Sequence, residues 1–191
     1  MVKIRRAVTL ALMISLVFLA GCSGSEKLEE DFELWRESFL AVEEHEITAD
    51  VTYFSSDDRV CEYTLRYISS EDGETIEVLS PELITGVSAR IENGESELIF
   101  DGAILETGSG VTEGISPMTA LPVFMDFIRE GHVENLGREK MEDVEVLVTE
   151  LELADGEKMT LWQTGAEMEP VFAAIRKENS VILKINISQI K

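Results

Sequence analysis

The sequence predicts an α+β protein: one antiparallel β-sheet that curls around helices. Three observations carry this. Period-two apolar runs recur between tight-turn signals, a helical stripe precedes them, and a strongly apolar helical segment interrupts them midway.

The helical stripe is Leu28, Phe32, Trp35, Phe39 and Val42, at steps of four, three, four and three. Glu29, Glu30, Glu33, Glu37 and Glu44 spread over the other sides, as an amphipathic helix requires. Beyond it Ile47, Ala49, Val51 and Tyr53 alternate with Thr48, Asp50 and Thr52, which reads as a half-buried strand. A second strand holds Cys61, Tyr63, Leu65 and Tyr67 on one face, so Cys61 reads as a small buried hydrophobe. Asp72-Gly73, Asn93-Gly94 and Asp101-Gly102 mark hairpin turns, the last two joining Val87–Ile91, Leu98–Phe100 and Ala103–Leu105.

Ser116-Pro117 then looks like a helix start. From Met118 to Glu130 the chain is apolar on nearly every side, with Pro122 expected to split or kink it and Gly131 to end it. A helix of that kind needs cover on more than one side. Strands resume at Val144–Leu153, Lys158–Trp162, Val171–Arg176 and Val181–Ile187, for about nine in all. Strands joined by hairpins imply an antiparallel sheet, and one apolar sheet face has only the helices to curl around.

The first 22 residues have a different character. Lys3, Arg5 and Arg6 precede an uncharged run from Ala7 to Ala20, too short to span a bilayer comfortably. Leu19-Ala20-Gly21-Cys22 resembles the lipobox of bacterial lipoproteins. That resemblance implies a signal peptide over residues 1–21 and a diacylated Cys22, with chains such as palmitate, as the first mature residue. Two acyl chains at roughly 0.8 kcal/mol per buried methylene anchor firmly, where one is reversible. Residues 22–27 read as a short lipidated tether, with a reach of roughly 17 Å from Ser23 to Lys27 if fully extended, and residues 28–191 as one domain. The chain is expected on the extracytoplasmic face of a membrane. With Cys22 acylated, Cys61 has no disulfide partner.

Charge limits the partners. The leading 22 residues hold three of the 16 Lys and Arg and none of the 38 acidic residues, so the remainder carries about −25. Such a surface repels nucleic acid and anionic headgroups alike, and suits a protein partner with a basic patch. Chemistry is scarce. His45 and His132 are the two histidines, no Gly-rich phosphate loop or nucleophile motif occurs, and no metal or cofactor motif is present. Glu43-Glu44-His45-Glu46 reads as a solvated helix end, because consecutive helical residues point to different sides. Acidic pairs such as Glu142-Asp143 follow from composition. The chain reads as non-enzymatic.

Ile76–Glu82, Phe100–Leu105, Ile115-Ser116-Pro117 and Pro170–Ile175, in this element order, resemble the LolA/LolB-type fold. Similar phrases occur in lipoproteins of Gram-positive-type bacteria, including ones implicated in spore germination. The resemblance implies a half-barrel with an N-terminal helix and a central helical lid on its concave face. A built-in anchor is more like LolB than the unlipidated LolA carrier. In this architecture Trp35, Phe39, Val51, Tyr53, Tyr63, Leu65, Leu121, Phe124 and Phe127 face the interior. Under a loose lid they line a pocket for an acyl chain or other hydrophobic ligand, and Met118 and Met125 suit adaptable packing. Under a tight lid they are core, and the chain is an envelope interaction or regulatory module that binds a protein.

Overall fold

The computed structural model describes residues 23–191 except 56, 58, 94, 109–113, 142 and 179. Helix α1 (Ser23–Leu40) leads into strands β1 (His45–Phe54), β2 (Val60–Ser70), β3 (Gly73–Ser80), β4 (Ser88–Glu92), β5 (Glu95–Phe100) and β6 (Ala103–Gly108). Helix α2 (Ala120–Glu130) precedes β7 (His132–Met141), β8 (Val144–Glu152), β9 (Lys158–Thr164), β10 (Glu169–Lys177) and β11 (Ser180–Ile190). All eleven strands form one sheet in the order β6-β5-β4-β3-β2-β1-β11-β10-β9-β8-β7. Each described ladder is antiparallel, and β6 and β7 are the two edges.

Local hairpins build both halves of this sheet. The halves join where β1 pairs with β11, from Ile47↔Ile190 to Tyr53↔Leu183. The segment from β6 to β7 therefore runs from one edge to the other, and α2 lies on that crossing.

Alternation within strands becomes a continuous apolar surface because the registers align it. Ile47 lies opposite Tyr67, and Tyr67 opposite Ile76; Ala49 lies opposite Leu65, and Leu65 opposite Val78. A slip of one residue would turn every one of these side chains to the other face. They share one core with Leu161, Ala173, Ile175, Leu183 and Ile185 from the second half. Phe32 of α1 and Leu121, Phe124, Met125, Phe127 and Ile128 of α2 complete it. Each large side chain so buried stabilises the fold by roughly 1.5–3 kcal/mol in transfer terms.

Several expectations are corrected. Helix α1 already runs at Ser23, five residues before the stripe begins at Leu28, so residues 23–27 are helical and rise about 7 Å. The helix ends at Leu40, which leaves Val42 outside the stripe and 49% exposed. His45 is not on a solvated helix end: it opens β1, is buried, and stacks on Phe39. Cys61 is half-buried.

Helix α2 begins at Ala120, later than Ser116-Pro117 suggested. The Ser116 N–H donates to Thr119 Oγ1 at 2.8 Å, and Thr119 Oγ1 donates to the Gly114 carbonyl at 2.9 Å, so this pair organises the entry turn. Pro122 consequently falls in the first helical turn. Amides there have no intrahelical acceptor, so its missing N–H costs nothing and the helix is not split. Gly131 does end the helix, its N–H donating to Phe127 O at 3.0 Å.

Strand β7 was not expected. Its Val133 and Leu136 are three apart, which conceals a period of two. A bulge after Val133 absorbs the extra residue, so Val133 faces Leu151 and Leu136 faces Thr149 on one side of β8.

Candidate functional site

The interior, the site expected from sequence, is built by β1, β2, α1 and α2. Val51, Leu65, Leu121, Phe124 and Phe127 are at most 1% exposed and pack into the core. Trp35, Phe39, Tyr53 and Tyr63 are half-buried and pack against its margin. Along the inner side of α1 the rings form a row. Phe32 and Trp35 have centroids 5.4 Å apart, Trp35 and Phe39 5.1 Å, and Phe39 and His45 4.5 Å at 23°. Offset ring pairs of this kind add about 0.5–1.5 kcal/mol each beyond their area. The Arg36 guanidinium lies 4.9 Å over the Phe32 ring.

Surface grooves surround this interior, and the four that follow are not lined by Leu65, Leu121, Phe124 or Phe127. One of about 710 Å³ separates α1 (Leu34, Trp35, Ser38) from Arg138, Glu145 and the β9–β10 turn at Gly165–Met168. A second, about 610 Å³, lies at the Tyr53-Phe54 end of β1 with Ile115 and Ile182. Both mix apolar and charged walls. A third, about 480 Å³, is polar and runs along β4, β5 and β6 past Glu92, Glu95, Glu97 and Glu106. The fourth, about 410 Å³, is lined by Leu40, His45, Met125 and Arg129.

Around that last groove sits the main polar cluster. Arg129 Nη1 donates to Asp126 Oδ1 at 2.9 Å, and its Nη2 lies 3.9 Å from Glu74 of β3. Burial raises the Asp126 carboxyl, with Arg129 opposing. Burial and the neighbouring Glu74 charge push the Tyr67 hydroxyl up. For His45, burial and then the Arg129 charge lower the imidazole, partly offset by a backbone hydrogen bond at Phe39. Arg129 thus ties α2 to β3 beside a histidine whose protonated form is disfavoured.

The sign follows. His45 binds its proton less readily folded than unfolded, so its contribution to stability is present above about pH 6.5 and is lost as pH falls through the folded value. The melting temperature is expected to drop more between pH 7.5 and pH 5 in the wild type than in His45→Phe, which keeps the stack and cannot titrate. Parallel curves would show that His45 is not the group responsible.

His132 is exposed on edge strand β7, far along the chain from His45, and the described residues contain no group of three His, Cys, Asp or Glu able to hold a metal. Cys22 and residues 1–21, expected from sequence to be a signal peptide, lie outside the described residues. No helix among the described residues is long and apolar enough to cross a membrane. What the sequence reading missed is the β5–β6 edge. Phe100, Ile104 and Leu105, read there as ordinary strand residues, are 51%, 64% and 63% exposed.

No family model matches this chain, and no curated protein does. Solved structures do. An uncharacterized conserved protein from Thermus thermophilus is 12% identical, with 85% of this chain and 86% of that one covered and a TM-score of 0.52. A LolA superfamily protein, NE2245 from Nitrosomonas europaea, is 12% identical over 86% and 92%, with a TM-score of 0.49. The Mycobacterium tuberculosis lipoprotein LppX is 10% identical over 85% and 94%, with a TM-score of 0.48. At such identities the likeness is one of fold. The antiparallel sheet with two helices agrees with the α+β class expected from sequence, with eleven strands where about nine were expected, and the fold of this chain is similar to that of the Thermus thermophilus protein.

Proposed function

We propose that this chain is a lipid-anchored, extracytoplasmic, non-catalytic interaction module, whose filled sheet-and-helix core presents its outer surface to a protein partner. One observation carries the reading: five of the nine residues that would line a ligand pocket, Val51, Leu65, Leu121, Phe124 and Phe127, are at most 1% exposed and belong to one core. Helix α2 acts here as a closed lid on the concave face. A charge near −25 favours a partner with a basic patch and opposes nucleic acid and anionic lipid. The membrane is reached through Cys22 instead. With α1 helical from Ser23, the domain stands within a few nanometres of the bilayer.

A second reading has its own observation. The groove of about 710 Å³ beside α1 has Leu34, Trp35 and Met168 in its walls, enough apolar surface to take an acyl chain or other hydrophobic ligand. Native mass spectrometry of the protein extracted from its own membrane separates the two. The filled module is expected at the mass of the acylated chain alone. An additional amphiphile that persists in Cys22→Ser would overturn it in favour of the ligand carrier. Cys22→Ser is itself expected to move the protein from the detergent phase to the aqueous phase on Triton X-114 partition. Retention in the detergent phase would refute the anchor.

A further inference from the structure

The two edges of the sheet are built differently. Edge strand β7 carries Glu134, Arg138, Glu139 and Lys140 and a bulge after Val133, all of which discourage another strand from pairing. Edge strand β6 carries no charge and no bulge over Ala103-Ile104-Leu105; its irregularity lies further on, where the pairing passes from Glu97↔Glu106 to Ser96↔Gly108. Before that point it pairs regularly with β5, Phe100↔Ala103, Ile99↔Ile104 and Leu98↔Leu105. Successive strand residues point to opposite faces, so Ile104 at 64% and Leu105 at 63% exposure make this edge apolar on both sides. In an antiparallel ladder closed by a two-residue turn, Ala103 and Leu105 direct their backbone groups to β5. Those of Ile104 and Glu106 point outward.

Charge supplies a second, independent observation. Glu97 stands directly opposite Glu106, and Glu92 directly opposite Glu95. Like charges in register repel across a ladder. Arg90 is engaged with Glu92 at 3.1 Å and both belong to the acidic groove of about 480 Å³ that borders this edge. A cation arriving from outside would offset that repulsion, most directly beside Glu106 and on the same face as Ile104.

We infer that β6 is a docking edge for an extended segment of a partner protein, which adds as a twelfth strand and carries an apolar pair beside a lysine or arginine. In the antiparallel sense the cationic residue meets Glu106 and the two apolar residues meet Leu105 and Ile104. Main-chain hydrogen bonds from Ile104 and Glu106 provide affinity and the side chains provide selection. A second copy of this chain fits poorly, because pairing two β6 edges brings two acidic grooves, on domains of about −25 each, together.

The inference rests on the reading of the chain as an interaction module. The test uses the Cys22→Ser chain from residue 22 on and the capped peptide Thr-Lys-Val-Ile-Thr-Lys, followed by amide chemical-shift mapping. Shifts confined to β5 and β6 are expected, with binding weakened at least tenfold at about 0.5 M salt, where screening reaches only a few ångströms. The same peptide with Glu for Lys is expected not to bind. Ile104→Pro removes the outward N–H while leaving the β5 ladder, and is expected to weaken binding at least tenfold. The Ile104→Lys, Leu105→Lys pair tests the apolar contact without altering the backbone and is expected to do the same. No binding by the wild type, or binding indifferent to both variants, overturns the inference. So does peptide-free self-association in sedimentation that both variants abolish, which would assign the edge to a second copy. An amphiphile found in the core would overturn the functional reading separately, whatever the peptide does.

Discussion

Phe124→Ala is expected to destabilise the domain by about 3–5 kcal/mol, measured as a shift in urea midpoint at unchanged m-value. Phe124 is fully buried on α2, in one core with Phe32 of α1 and the apolar face of the sheet. Truncation loses the transfer energy of the ring and leaves a void that neighbours from three elements cannot close together. Against a total of roughly 5–15 kcal/mol, that loss is large. It also bears on function. A loosely seated lid over a ligand pocket would tolerate the change at about 1 kcal/mol or less, and such a result would count against the filled core. Ile104→Ala on the exposed edge is the matched control, expected to stay within about 0.5 kcal/mol.

Gly131→Ala is expected to cost about 1–3 kcal/mol, although alanine in place of glycine often stabilises. The usual gain, about 0.4–1 kcal/mol, comes from a less flexible unfolded chain. Here the added Cβ would sit 2.5 Å from the Phe127 carbonyl oxygen and 3.1 Å from Leu151 Cβ. The nearer atom is backbone, and the Gly131 N–H is bonded to that same oxygen. Relief therefore requires moving the end of α2 or the start of β7. Thermal unfolding of the single variant decides the sign, and a raised melting temperature would show that the junction yields.

How much could be read in advance depended on whether burial or pairing controlled a segment. Strands β1, β2 and β11 bury one face, so their alternation announces them, and the Asp-Gly turns place their neighbours. Strand β7 buries little and contains a bulge, so its pattern is broken before it is ever packed. Helix α2 was visible as an apolar segment. Its start was not, because the Ser116–Thr119 hydroxyl pair serves the entry turn and leaves Pro122 harmless in the first turn. The candidate lining residues were legible as apolar. Whether they enclose space is a matter of volumes across five or more elements, which no periodicity records.

By itself the sequence determined the α+β class, the two helices, most hairpins, the acidic charge and the lipobox-like Cys22, since each depends on residues near one another along the chain. The tertiary structure alone decided that β11 closes on β1, that His45 stacks on Phe39, and that Phe32, Tyr67, Phe124 and Phe127 are fully buried while Trp35 and Tyr53 are not. It also decided that Ile104 and Leu105 stand at an open edge. An apolar residue is the same letter in a core and on an edge. Only the partners that long-range pairing brings to it, or fails to bring, separate the two.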